Sequence, residues 1–552
     1  MLGIYGQFLR VDPVLTRDDQ LLLRPLETLS SLSEYPALLK SEKNLDVQPV
    51  RDLSLYADIR LKEHIPFHSF HLTNLILWML ILSLSFLILR LCHPDTQLVF
   101  SLILLYSVHP VFVGSVAWIS ARKHLLSCLF ILIATYVFMK SIKSKSSFLK
   151  SASVIQASYL LSIFSHPISA LWPLWALCFG LKGMPDADRK KAFWLAVICL
   201  PAMLFCLFLN YRYYTEAYVI RAAAEKISTS PDATLGFTVL ALGRYLINFL
   251  APFKIAPIYY LGSPWNMIGT ILIPIFVYVL SKSIPLAALC NWGLLYLLPL
   301  LMVTLKPTNI FVSDTYFLIP GIAILNLLAY FLAGNSWFRQ IPLQLKRALL
   351  VATAGVFIYL SLDAAQLFRS NRDFTMGAYK KEATPTTLVY YAEQSLNDGY
   401  FGKAFESILK LQLWDPSHPD FTRLLSKALY LDPKPSPQDK IKFLESQHLD
   451  DPYITLALAQ LYAQEKHFQE AFTLLNDLLF KGPKKIPKSI EFSTVVAHFI
   501  YYCSKSKPEK YCNEMLKKVR KETTKEPWNQ AAYTSRLNHL VTDDIGLPFL
   551  DH

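Results

Sequence analysis

The chain has 552 residues, of which 53% are hydrophobic and 17% charged, and it carries a formal net charge of +13. Its apolar residues gather before position 366 in blocks of roughly 17 to 22, the length a helix needs to cross hydrocarbon, which excludes an ordinary soluble fold. The positive excess implies no nucleic-acid partner, because much of it lies in short loops between apolar blocks and no basic and aromatic stripe accompanies it.

In chain order, Met1 to Leu9 is a short, weakly apolar run broken by Gly3 and Gly6, with no basic start and no small-residue cleavage site, so no cleavable signal peptide is expected. No clear span precedes Arg17 either. Ten crossings are expected, near 71–92, 97–115, 124–141, 151–165, 167–182, 192–210, 266–281, 284–304, 315–333 and 346–366. The connecting loops carry Lys140, Lys143, Lys145 and Lys150, then Lys182, Arg189, Lys190 and Lys191, then Lys282, then Arg339, Lys346 and Arg347. The positive-inside rule puts all of these on the cytoplasmic face, provided 235–262 does not cross once. That segment is therefore expected to be a re-entrant or surface-lying pair of short helices broken at Pro252 and Pro257. Residues 1–69, the loops at 109–123, 166, 211–262 and 305–314, and everything after 366 are then expected outside. The expected membrane domain is 70–366, in the cytoplasmic (inner) membrane and in contact with its lipids, with the rest of the chain on the outer or periplasmic side.

After 366 the sequence is soluble in character and repeats. Ala392, Ala404 and Pro416 are twelve apart, and Ala459, Ala471 and Pro483 repeat that spacing 67 residues later, about twice the 34-residue period of a tetratricopeptide repeat. Small residues at those points let antiparallel helices touch, and proline ends the second helix. A degenerate middle repeat fills 419–452, with Ala428 but a displaced cluster at Pro433, Pro435 and Pro437. The expectation is a repeat domain over 385–485, followed by a helical extension over 486–552. Such a stack either binds a protein through its concave surface or packs against the membrane domain.

Six of the eight cysteines, Cys92, Cys128, Cys178, Cys199, Cys206 and Cys290, lie in or beside apolar blocks and read as small core residues. Cys503 and Cys512 are soluble, and their spacing in a segment expected outside the cytoplasm permits a disulfide between neighbouring helices. No CxxC pair, Walker motif or dinucleotide glycine motif is present.

Four stretches carry a resemblance. QPVRDLSLYADIRLKEHIPFHSFHLTNLILW, HPVFVGSVAWISARKHLLSCLFILIATY, SIFSHPISALWPLW and VSDTYFLIPGIAIL resemble consecutive landmarks of the transmembrane and tetratricopeptide-repeat O-mannosyltransferase group and its bacterial relatives, within the GT-C glycosyltransferase superfamily. The resemblance runs over roughly 12–480 and rests most on His71-Leu72-Thr73-Asn74, His109-Pro110 and Val116-Ala117-Trp118. It implies an all-α chain, a polytopic GT-C-like membrane domain followed by a tetratricopeptide-repeat α-solenoid. It also implies an enzyme that moves a sugar from a polyprenyl-phosphate carrier to a protein hydroxyl or a glycan on the outer side.

That reaction needs a carboxylate base for the acceptor hydroxyl, and cations or a divalent metal for the leaving phosphate. Asp18 and Asp19, in TRDDQLLL, resemble the acidic pair of the family's first outer loop; by themselves they also read as a solvated turn or a helix start. Arg122, Lys123 and His124 could hold a phosphate, or sit at headgroup level as snorkelling cations. His166 beside Pro167 reads equally as a phosphate donor or a capped core histidine. No metal ligands are assigned.

The chain departs from the pattern where relatives carry Glu, now Gly114; Asp after the Arg pair, now His124; Lys before Pro, now His166; and the Arg of the late motif, now Thr315 between Asp314 and Tyr316. Glycine can supply neither acid chemistry nor a metal ligand, whereas imidazoles can still donate to phosphate. The span that normally precedes the acidic pair is also missing from the expected elements. Two functions compete: a polyprenyl-phosphate-dependent glycosyltransferase, and an inactive GT-C-derived scaffold that presents its repeats to an envelope protein. A transporter is disfavoured, since intramembrane charge is scarce and no inverted repeat is evident.

Overall fold

The computed structural model describes residues 2–5, 17–36, 48–64, 70–143, 147–181, 186–209, 231–257, 259–260, 263–304, 311–414, 420–446, 451–481 and 492–522. Apart from one two-residue β-ladder, the regular structure among them is helical. The chain divides into two compact units, with the break between Thr384 and Pro385.

In the first unit, six helices are long and apolar enough to cross a membrane: Phe70–Cys92, Ile119–Ile142, Asp188–Leu209, Pro264–Ser283, Asp314–Gly334 and Leu343–Gln366. The pair Thr96–Ser107 and Pro110–Ala117, bent by 53°, qualifies as a seventh, and Pro167–Phe179, Thr238–Leu250 and Leu286–Leu301 are apolar but shorter. This is the build of a multi-pass membrane protein. Ile119–Ile142 lies at the centre of the bundle, 72% of its apolar window buried, and is flanked by Phe70–Cys92 and Phe148–Ser165. Pro264–Ser283 and Leu343–Gln366 are peripheral, and they turn outward rows such as Met267, Ile271, Ile275 and Tyr278, or Val351 and Tyr359. Exposed apolar rows of this length suit hydrocarbon and are costly in water.

Hydroxyls join the central helices. Ser162 Oγ donates to the Ser127 carbonyl at 2.7 Å and lies 2.7 Å from Ser169 Oγ, so three small side chains let backbones approach while satisfying one another. The expected pair of short helices over 235–262 is instead one helix, Pro231–Leu250. Its interior holds glycines but no proline, so nothing interrupts the hydrogen-bond ladder until the chain turns at Ala251 to Phe253, ahead of Tyr259-Tyr260, which pairs antiparallel with Phe311-Val312. Pro231–Leu250 crosses Pro264–Ser283 in backbone contact: a Cβ on Gly269 would lie 2.0 Å from the Gly243 carbonyl oxygen, so only glycine fits.

Two contacts bring charged helix ends of this unit together in pairs. Lys191 Nζ donates to the Ser141 carbonyl at 2.7 Å, joining the loops around 140 and 190. A Cβ on Gly334 would lie 2.8 Å from the Ser283 carbonyl oxygen, so the helix end carrying Lys282 adjoins the one preceding Arg339. Arg122 stands at the opposite end of its helix from Lys140 and Lys143.

The second unit is a succession of helix pairs: Pro385–Asn397 with Phe401–Trp414, Asp420–Leu431 with Pro437–Glu445, Pro452–Gln464 with Phe468–Lys481, and Phe492–Ser506 with Glu509–Glu522. Each pair packs on the next in chain order. The residues that were expected to form an extension thus include a fourth hairpin, whose helices the Cys503–Cys512 disulfide joins.

Candidate functional site

Two histidines cap short turns, one within 109–124 and the other at His166. His109 Nδ1 accepts from Val111 N at 3.2 Å at the start of the 3-10 turn Pro110–Phe112, and His166 Nδ1 accepts from Ile168 N at 3.2 Å before Pro167–Ser169. Proline at the first position of each turn lacks an N–H, and the imidazole satisfies the next one. A ring nitrogen that accepts cannot carry the proton, so each imidazole is the neutral tautomer protonated at Nε2. His109 uses that proton on the Phe249 carbonyl, 2.9 Å away.

Asp19 reaches this segment from the helix Arg17–Glu27. Its Oδ1 accepts from Ser120 N at 2.8 Å and from Ser120 Oγ at 2.6 Å, and the residue is 1% exposed. A buried carboxylate accepting a backbone and a hydroxyl proton holds the turn Ile119–Ala121 in place. Asp18 shares the helix, but its side chain lies outside the described residues.

Arg122 is fully buried, and each of its nitrogens is engaged. Nε donates to Asn74 Oδ1 at 2.8 Å, Nη2 to the Phe70 carbonyl at 2.7 Å, and Nη1 to the Ser54 carbonyl at 3.3 Å and to Asp58 in an ion pair. Thr73 Oγ1 donates to Asp58 Oδ1 at 2.8 Å, and Asn74 Nδ2 donates to the Val116 carbonyl at 3.1 Å. The guanidinium is thus spent on four protein acceptors and acts as an internal tie. The Thr73-Asn74 motif supplies two members of that tie.

Lys123 is half-buried. The His124 and His166 rings lie 4.4 Å apart between centroids, with Tyr316 at 4.8 Å from His124 and 6.0 Å from His166. A Cβ on Gly114 would lie 3.3 Å from Phe368 Cζ and 3.9 Å from Thr315 Cγ2. Phe368 belongs to an aromatic lid with Trp118 and Phe374, centroids 5.4 to 6.4 Å apart.

A second polar network went unread in the sequence. Arg244, fully buried, donates from Nε to Asn248 Oδ1 at 3.0 Å and from Nη1 to Asn266 Oδ1 at 3.3 Å, and it pairs through Nη2 with Glu382 at 3.0 Å. Asn248 Nδ2 donates to Asp314 Oδ1 at 2.9 Å, Tyr259 OH donates to Asp314 Oδ2, and the Arg244 guanidinium lies 3.9 Å from the centre of the Tyr259 ring. The Gly243–Gly269 crossing sets Arg244 against Asn266, and the β-ladder sets Tyr259 beside Asp314. The signal was present: an Arg and an Asn four apart in the otherwise apolar LGRYLINFL share one helix face, and a cation there needs a partner.

Among the described residues, no three His, Cys, Asp or Glu side chains gather as metal ligands, so none is assigned to an ion. In the second unit Ala392, Ala404, Ala459 and Ala471 are all fully buried between helices. The fourth residue of the second helix in successive hairpins is Ala404, Lys440, Ala471 and Cys512. Comparison of the chain with family models, with curated proteins and with solved structures finds no match.

Proposed function

We propose that this chain is a GT-C-like membrane protein whose transferase centre has become a structural core, and that it works as a scaffold outside the cytoplasmic membrane. Its second unit, on this reading a tetratricopeptide-type α-solenoid, holds an envelope protein in its groove. The observation that carries the proposal is the closed contact of Gly114, Thr315 and Phe368, where the relatives' pattern has an acid and an arginine. The buried engagement of Asp19 and Arg122 supports it, since a general base must reach the acceptor hydroxyl. The Lys and Arg clusters of the short loops, read with the positive-inside rule, support an outward placement of the opposite loops and of the repeats.

Retained transfer of a sugar from a polyprenyl phosphate is the second reading. Two observations favour it: Asp19 sits on the segment that leads to Arg122, and the buried Ser115 hydroxyl has no partner among the described residues. One comparison separates the two. Asp18→Asn with Asp19→Asn is set against a variant lacking residues 385–552, and the cellular phenotype and co-purifying proteins are read for both. A scaffold tolerates the first and loses partners and phenotype with the second. Loss of function in the double Asn variant, with its partners still bound, would overturn the scaffold and favour the transferase.

A further inference from the structure

Charge is unevenly distributed along the second unit. Residues 385–491 hold twelve Lys and Arg against fourteen Asp and Glu, whereas residues 492–522 hold seven against three. The last described helix, Glu509–Glu522, spends its apolar side on the core: Cys512 and Val519, two turns apart, are buried against it, with Met515 and Leu516 packed beside them. Lys510 and Lys517 stand two residues before each of these, about 200° round the helix. Both are exposed, and neither has an ion-pair partner among the described residues. Lys518 is also exposed, its Nζ 4.5 Å from the centre of the Phe480 ring. Tyr511, 42% exposed, stands between the cationic row and the core.

We propose that this face of the fourth hairpin, carried by Lys510, Lys517 and Tyr511, binds the anionic lipid surface of the bilayer that the first unit spans. Three features select lipid over a folded partner. The helix has no apolar stripe left over for a protein groove. A cationic row beside an exposed phenol is the pattern that settles at headgroup level. The same chain is anchored in a bilayer, so that surface is always present at high effective concentration. The contact holds the repeats against the membrane whether or not transfer chemistry survives.

The test uses the full chain in nanodiscs of phosphatidylcholine alone or mixed with phosphatidylglycerol. Acetylation rates of Lys510 and Lys517 by a water-soluble reagent are read by mass spectrometry, with Lys403 in the same unit as the internal reference. Each contacting lysine contributes about fivefold to docking, so both rates should drop by about fivefold or more in anionic nanodiscs. They should recover when salt rises from about 0.1 M to about 1 M, which shortens the Debye length from ~10 to ~3 Å. In the Lys510→Gln, Lys517→Gln variant, the protection of Lys518 by anionic lipid should be lost. Equal rates in the two lipids, or protection that survives high salt, would overturn the proposal without any variant. Protection that appears only when a soluble nucleic acid is added would overturn it in favour of a nucleic-acid surface.

Discussion

Replacing Arg122 with Met separates a structural tie from a ligand-binding cation. The side chain is fully buried, and it links Asp58 and Ser54 of Pro49–His64 with Phe70 and Asn74 of Phe70–Cys92, so three helices, its own included, meet on one guanidinium. Its removal leaves Asp58 as a buried carboxylate without its guanidinium, while Thr73 still donates to it. Breaking a buried pair by deleting one partner costs about 3–5 kcal/mol. In a unit of this size 1 kcal/mol moves the melting temperature by about 2 °C, so a drop of about 6–10 °C is expected. Thermal unfolding of purified protein in detergent, followed by size exclusion, reads it. Adding Asp58→Asn should recover part of the loss, since contacting residues couple by about 0.5–3 kcal/mol. An Arg122→Met protein that melts within about 2 °C of wild type, and differs only in anion binding, would refute the structural role.

Two further outcomes follow from the packing. Gly269→Ala should cost about 3 kcal/mol or more, because the new methyl meets the Gly243 backbone, whereas Gly355→Ala, with open space around it, should be neutral or stabilise by about 0.5–1 kcal/mol; equal melting temperatures for the two would contradict the crossing. Lys440 occupies a helix contact that alanine fills in two other hairpins, and burial pulls its amine below the ordinary 10.5. The folded state then binds fewer protons than the unfolded chain, so the wild-type penalty is fully present at neutral pH and shrinks as pH rises towards 10.5. Lys440→Ala should melt higher than wild type at pH 7, by a margin that narrows with pH; a margin that widens would contradict this.

Much of the architecture was legible because membrane spans and repeats are written in composition. Unbroken apolar blocks announce helices whose backbone must satisfy itself, and the twelve-residue Ala392–Ala404 and Ala459–Ala471 spacings fall on buried helix contacts. The Cys503–Cys512 pairing followed from two soluble cysteines a short loop apart. The prolines at 252 and 257 were read as the middle of a helical pair, although proline after a helix end is at least as common. The site was harder to read because roles depend on contacts distant in sequence. Nothing local says that Arg122 meets Asp58 or that Arg244 meets Glu382. The two His-Pro caps were half visible, because proline marks the turn but not the direction of the imidazole.

The proximity of Gly114 to Thr315 bears on the proposed kinship. On the proposed kinship, an acid at 114 and an arginine at 315 would stand within reach of one another across the place where Phe368 now lies. A buried arginine that loses its acid is a charge without compensation, and replacing both members by uncharged groups is far less costly than losing one. On that kinship, the two differences would together amount to the exchange of an ion pair for an aromatic contact. Asp19 has structural work independent of any transfer chemistry: its carboxylate closes the turn at Ser120, on which the start of the central helix depends. The acidic residue that looks most like a surviving base is thus one that a protein without transfer chemistry has physical reason to keep. On the proposed reading, Asp19 serves the turn, and the filled space at Gly114 weighs against the reaction.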